Sequence, residues 1–120
     1  MPRQLTVLHN PQCSKSREAL GILADYGYSI DESLTVVEYL VDPPSAEAIR
    51  ELIRTCADAP SSFVRPDPEV DTSAIDLEDT ATVATLLAEH PSMLQRPIVT
   101  DGTTTIICRP PGRIQELLDG

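Results

Sequence analysis

The sequence contains no tryptophan and only one phenylalanine, Phe63, so aromatic stacking does not build its core; Leu, Ile, Val and Ala must do that. Basic residues are also few. Nine Lys and Arg face nineteen Asp and Glu, a formal net charge of −10. A surface this acidic is repelled by phosphate backbones and anionic lipid, which argues against nucleic-acid and membrane binding. No apolar run approaches the ~20 residues of a membrane span, and the first residues, Met1 to Gln4, lack the apolar stretch of a signal peptide. Three cysteines, at 13, 56 and 108, are an odd and scattered set. They make no disulfide framework and no zinc-ligand spacing, and they fit a reducing, cytoplasmic setting.

What remains is a chain of 120 residues, 41% apolar, the size of one globular domain. Residues 4–9 alternate and form a strand, broken by Asn10-Pro11-Gln12. A helix from Ser14 to about Tyr26 carries Ala19, Leu20, Ile22 and Leu23 as its stripe, with Gly27 as its stop. Leu34 to Leu40 is a second strand. Ser45 caps a helix with Ile49, Leu52, Ile53 and Cys56 on one face. Residues 57–79 form a loop-rich excursion, and Thr80 to Glu89 a further helix. Two strands, 97–100 and 104–108, flank an Asp101-Gly102 turn, and a helix from Pro110 to Leu118 closes the chain. The order is that of an α/β, thioredoxin-like fold: βαβ, helical insertion, β-hairpin, C-terminal helix. Residues 1–120 form a single domain in this scheme, the insertion running from about 45 to 90.

Cys13 stands where the first strand hands over to a helix. Free backbone N–H groups and the helix dipole favour an anion there. Such sites lower a thiol pKa from about 8.5 into a range of roughly 3.5–7.5. Lys15 and Arg17 add positive charge nearby. The alternative is a small buried residue capping a turn, but its neighbours on both sides are polar. His9 either favours the thiolate as a cation or is buried in its strand with a backbone partner. Cys13-Ser14-Lys15-Ser16 is C-x-x-S, so no local second thiol can resolve a mixed disulfide and an external thiol is required. Cys56 and Cys108 follow core periodicity.

The stretch His9-Asn10-Pro11-Gln12-Cys13-Ser14-Lys15-Ser16-Arg17 resembles the H-N-P-x-C-x-x-S-R turn of the glutaredoxin-dependent arsenate reductases. Tyr39-Leu40 with Pro43-Pro44-Ser45, His90-Pro91 with Gln95-Arg96-Pro97-Ile98-Val99, and Cys108-Arg109-Pro110 resemble that family's other motifs, in order. The resemblance implies that Cys13 attacks arsenate and that three arginines hold the oxyanion. Two carry over to Arg96 and Arg109. The third falls on Arg65, the only arginine at the end of the insertion, followed by the acidic, stiff Pro66-Asp67-Pro68-Glu69. Ser16 and Arg17 of the turn join the substrate-binding set, and His9 the catalytic one. Pro97 is the expected cis-proline. No metal or bound cofactor is implied; glutathione or another small thiol is the co-substrate, and a glutaredoxin-like protein the partner. Arg3, Arg50, Arg54 and Arg113 are expected to be solvated surface charges. Two other functions share this turn: reduction of a different glutathione-linked substrate, and redox regulation by binding RNA polymerase. The second normally uses C-x-x-C, which Ser16 interrupts.

Overall fold

The computed structural model describes residues 4–118. Arg3 lies outside them. Strand β1 (Leu5–His9) leads through helix α1 (Ser14–Asp25) to β2 (Leu34–Glu38). Helices α2 (Ala46–Arg54) and α3 (Thr80–Glu89) follow, then the hairpin strands β3 (Ile98–Thr100) and β4 (Thr105–Ile107), and the short α4 (Ile114–Leu118). The sheet order is β2-β1-β3-β4. β1 runs parallel to β2 and antiparallel to β3, and β3 antiparallel to β4. This is the thioredoxin-like α/β arrangement.

Alternation along the strands divides the core in two. Leu8, Ile98 and Ile107 face α2 and α3, where Ile49, Ile53, Val83, Leu87, Tyr39 and Phe63 fill one side. Leu5, Val7, Val99 and Ile106 face α1 and α4, meeting Leu23, Ile114, Leu117 and Cys108. Both faces of the sheet are therefore covered by helices. Among the described residues no helix is long and apolar enough to cross a membrane.

Local chemistry sets the element ends. Ser45 Oγ accepts the Ala48 N–H at 3.1 Å, and an Asp79 carboxylate oxygen accepts the Thr82 N–H at 3.0 Å. Each satisfies a free donor at a helix start, an arrangement worth about 1 kcal/mol. Gly27, just past α1, has φ +92, open to glycine without a steric penalty.

Three expectations change. β2 stops at Glu38, not Leu40, because the Glu38 carbonyl accepts the N–H groups of Val41 and Asp42 and folds the chain into a turn. The final helix begins as a 3-10 turn at Pro111–Arg113. Arg113 is not a solvated charge. It pairs with Asp58 at 2.9 Å and Glu116 at 3.0 Å, and it donates to the Ile107 carbonyl at 3.1 Å. It thereby ties the C-terminal segment to the loop after α2.

Candidate active site

The site is assembled at the C-terminal end of β1. The β1–β2 register pairs His9 with Glu38, and the β1–β3 register pairs Leu8 with Ile98. Carried just past the strand ends, these registers set Asn10 between Tyr39 on one side and Arg96 on the other. The turn then lifts to Cys13, whose N–H bonds the Asn10 carbonyl at 2.9 Å. The Asn10 side chain accepts the Gln12 N–H at 3.0 Å, which fixes the turn from within.

Cys13 is the N-cap residue of α1 and is partly exposed. Its sulfur makes no capping hydrogen bond of full geometry. Burial, the largest single influence, pushes the thiol up. The Ser16 N–H, a hydrogen bond from the Arg96 side chain, the Lys15 N–H and the Arg96 charge together outweigh it and bring the pKa down to about 7. A large fraction of the thiol is therefore thiolate at neutral pH. Cys56 is half-buried, and burial raises its thiol. Cys108 is fully buried and pushed up to about 12. Only Cys13 combines access with an acidic thiol.

The other expected site residues divide. Arg96 lies at the sulfur, and its Nε is buried without a hydrogen-bond partner. Such an unmet donor carries a desolvation cost until an acceptor arrives. The Arg96–Pro97 peptide is cis, as is Arg109–Pro110. Arg109 is exposed and donates from Nη1 to the Arg96 carbonyl at 3.1 Å, so the two arginines are neighbours. Arg65 is exposed. Its N–H bonds the Met93 carbonyl, and Val64 bridges Leu94, so the backbone runs alongside the segment leading to Arg96 but opposite Met93 rather than Arg96. No hydrogen bond to another described residue fixes its guanidinium at Cys13.

Three members of the turn are held by contacts or burial of their own. Ser16 is fully buried, and its hydroxyl accepts the Asn10 N–H at 3.4 Å, so what it offers the site is its backbone N–H. Arg17 donates to the Pro11 carbonyl at 2.9 Å and braces the turn. His9 is buried with Nδ1 unpartnered. Burial lowers its pKa, against the pull of Glu38 and with a further push from Arg17, so the ring is held neutral and does not supply the cation considered above. Tyr39 was legible only as part of a motif. It is fully buried, and its hydroxyl faces Arg96 and Asn10 without a hydrogen bond of good geometry. Burial raises its pKa, so it stays a neutral phenol. Among the described residues no group of three or more His, Cys, Asp or Glu is placed to hold a metal ion.

The arrangement can present a thiolate to an electrophile while Arg96 and Arg109 offer planar donors to its oxygens. The model of the ArsC family matches residues 8–117. An arsenate reductase of Neisseria meningitidis is 30% identical over 120 residues, covering 96% of this chain and 98% of that one. The uncharacterized protein YfgD of Escherichia coli is 29% identical over 122 residues, covering 98% and 99%. Among solved structures, an arsenate reductase from Vibrio cholerae aligns with a TM-score of 0.75 at 26% identity, over 97% of this chain and 98% of that chain.

Proposed function

The chain belongs to the ArsC family, and on that premise we propose that it is an oxidoreductase that reduces arsenate to arsenite, with Cys13 as nucleophile and glutathione and glutaredoxin as the source of electrons. The observation that carries the proposal is the Cys13 thiol, lowered to about 7 at the start of α1 with the Arg96 side chain beside it. Thiolate and oxyanion-binding donor are thereby brought to the same point.

In the proposed reaction Arg96 and Arg109 hold arsenate oxygens, with Arg65 as a third contact if its exposed side chain swings inward. The Cys13 thiolate attacks arsenic. One As–O bond breaks, a S–As bond forms, and the displaced oxygen leaves as water after protonation. A glutathione thiol then supplies the second sulfur. The glutathione sulfur, giving up its proton, bonds to the Cys13 sulfur; the S–As bond breaks with its electron pair passing to arsenic, which leaves as arsenite, and a Cys13–glutathione disulfide remains. A glutaredoxin-like protein reduces that disulfide and restores the thiol. The external thiol is needed because Ser16 occupies the position where C-x-x-C proteins carry their second cysteine.

One observation favours a second substrate. Arg65 stands opposite Met93 rather than Arg96, and Arg96 is the arginine whose hydrogen bond and charge act on the Cys13 sulfur, so a less highly charged glutathione-linked substrate would also be served. The test is arsenate-dependent NADPH oxidation with glutathione, glutaredoxin and glutathione reductase, run beside the same assay with thioredoxin and its reductase. Turnover in the first system supports the proposal. Turnover only with thioredoxin would reassign the donor, and turnover in neither, with Cys13 still reactive, would favour the second substrate class.

A further inference from the structure

A polar cavity of about 260 Å³ opens beside Arg109, lined by Asp58, Ser62, Gln95, Ile107, Arg109 and Arg113. Its walls are held in place. Arg113 bonds Asp58 Oδ2 at 2.9 Å and the Ile107 carbonyl at 3.1 Å, so two sides of the cavity are tied together. The Gln95 N–H bonds the Phe63 carbonyl at 2.8 Å, which fixes its backbone and leaves the amide side chain at the cavity. Arg109 spends Nη1 on the Arg96 carbonyl and keeps further N–H donors. Arg96 in turn contacts Cys13. The cavity is therefore linked to the thiol through Arg109 and Arg96.

The lining is a matched set of opposite polarities. The Arg109 fork and the Ser62 hydroxyl suit a carboxylate. The Asp58 oxygen that does not pair with Arg113 and the Gln95 amide oxygen suit an ammonium group. The volume is below that of an ordinary small-molecule pocket of roughly 300–1,000 Å³, and it suits the end of a ligand rather than a whole one. From this geometry we infer that the cavity binds the free α-amino-acid head, ammonium and carboxylate together, of the small thiol that reacts at Cys13. A γ-glutamyl thiol such as glutathione carries that head at one end and its sulfur some atoms away, so a head seated beside Arg109 leaves the sulfur free to reach toward Cys13. The inference rests on the proposed use of an external thiol, but not on arsenate.

Thiol–disulfide exchange tests it without the oxyanion. In protein carrying Cys56→Ser and Cys108→Ser, the Cys13 thiolate attacks one sulfur of an added disulfide. The reagent's S–S bond breaks, a new one forms to Cys13, and the other half leaves as a thiolate, so no further oxidant is needed. Rates with glutathione disulfide and with 2-hydroxyethyl disulfide are each divided by the rate of the same reagent with N-acetylcysteine. The expected preference for glutathione disulfide is about tenfold. Gln95→Ala and Asp58→Asn are each expected to reduce it to within about threefold of parity, with the hydroxyethyl rate unmoved. Asp58→Asn also loses the Arg113 pair; Gln95→Ala breaks no described side-chain bond and stands on its own. No preference in the parent protein, or a preference that survives Gln95→Ala, would overturn the inference. A preference that is present and lost as expected in a protein inactive on arsenate would sink the arsenate assignment and leave the cavity's role intact.

Discussion

Replacing Arg96 by alanine removes two contributions that can be measured separately. One is to the thiol. Burial raises Cys13, and Arg96 is among the groups that bring it down to about 7, where about half is ionised at pH 7. If removing the Arg96 hydrogen bond and charge raises the thiol by about one unit, the ionised share at pH 7 falls to about a tenth. Iodoacetamide alkylation at pH 7 then slows about fivefold, while the plateau at high pH is unchanged. The sign is fixed: reactivity climbs as pH rises through the thiol pKa, and the variant's curve shifts to higher pH. The other contribution is to the oxyanion. Deleting a charge-assisted hydrogen bond to the substrate costs about 1.5–3 kcal/mol, or about ten- to a hundredfold. The two effects together predict a fall of about fifty- to five-hundredfold in kcat/KM for arsenate at pH 7. Arg96→Lys retains the charge and loses the fork, so its alkylation curve moves less than its arsenate kinetics. An alkylation midpoint that stays at about 7 in Arg96→Ala would refute the reasoning, because the Ser16 and Lys15 N–H groups alone would then hold the thiolate.

Arg109→Ala, which removes the neighbour of Arg96, is expected to lower kcat/KM for arsenate at least about tenfold. Arg65→Ala should fall between that and no effect, and Arg50→Ala, exposed on α2, should match the parent protein in the same steady-state assay. The three cysteines should label in a fixed order under iodoacetamide at pH 7.5, followed by peptide mass spectrometry. Cys13 reacts first, Cys56 more slowly, and Cys108, fully buried with a thiol pushed up to about 12, only after unfolding. Early labelling of Cys108 would contradict the packing of α4 on the sheet.

Much of the frame was legible because its signals are local. The Asp101-Gly102 turn, the Ser45 cap, the stripe of α1 and the placement of Cys13 at a strand–helix junction each lie within a few residues of sequence. The end of β2 was not, since Tyr39 and Leu40 prolong an apolar pattern that the turn at the Glu38 carbonyl cuts short. What activates Cys13 was legible only in part. The helix N-terminus is a local feature, but nearby charges on Lys15, Arg17 and His9 suggested themselves, whereas the structure brings Arg96 to the sulfur from the far end of the chain. His9 illustrates the same limit: its position at the end of β1 was clear, but whether it would be charged depended on burial contributed by the fold. Arg113 and Asp58 join across 55 residues, and nothing in either local stretch marks the pair or the cavity they line.

The central claim is that the Cys13 sulfur carries out the reduction, and arsenic speciation tests it most directly. Arsenate is incubated with glutathione and glutaredoxin and either the parent protein or Cys13→Ser, and arsenite is quantified by chromatography with elemental mass detection. Steady arsenite formation is predicted with the parent protein, most of it retained in the Cys56→Ser, Cys108→Ser double variant, and only the protein-free background with Cys13→Ser. Arsenite produced by Cys13→Ser above that background would contradict the claim.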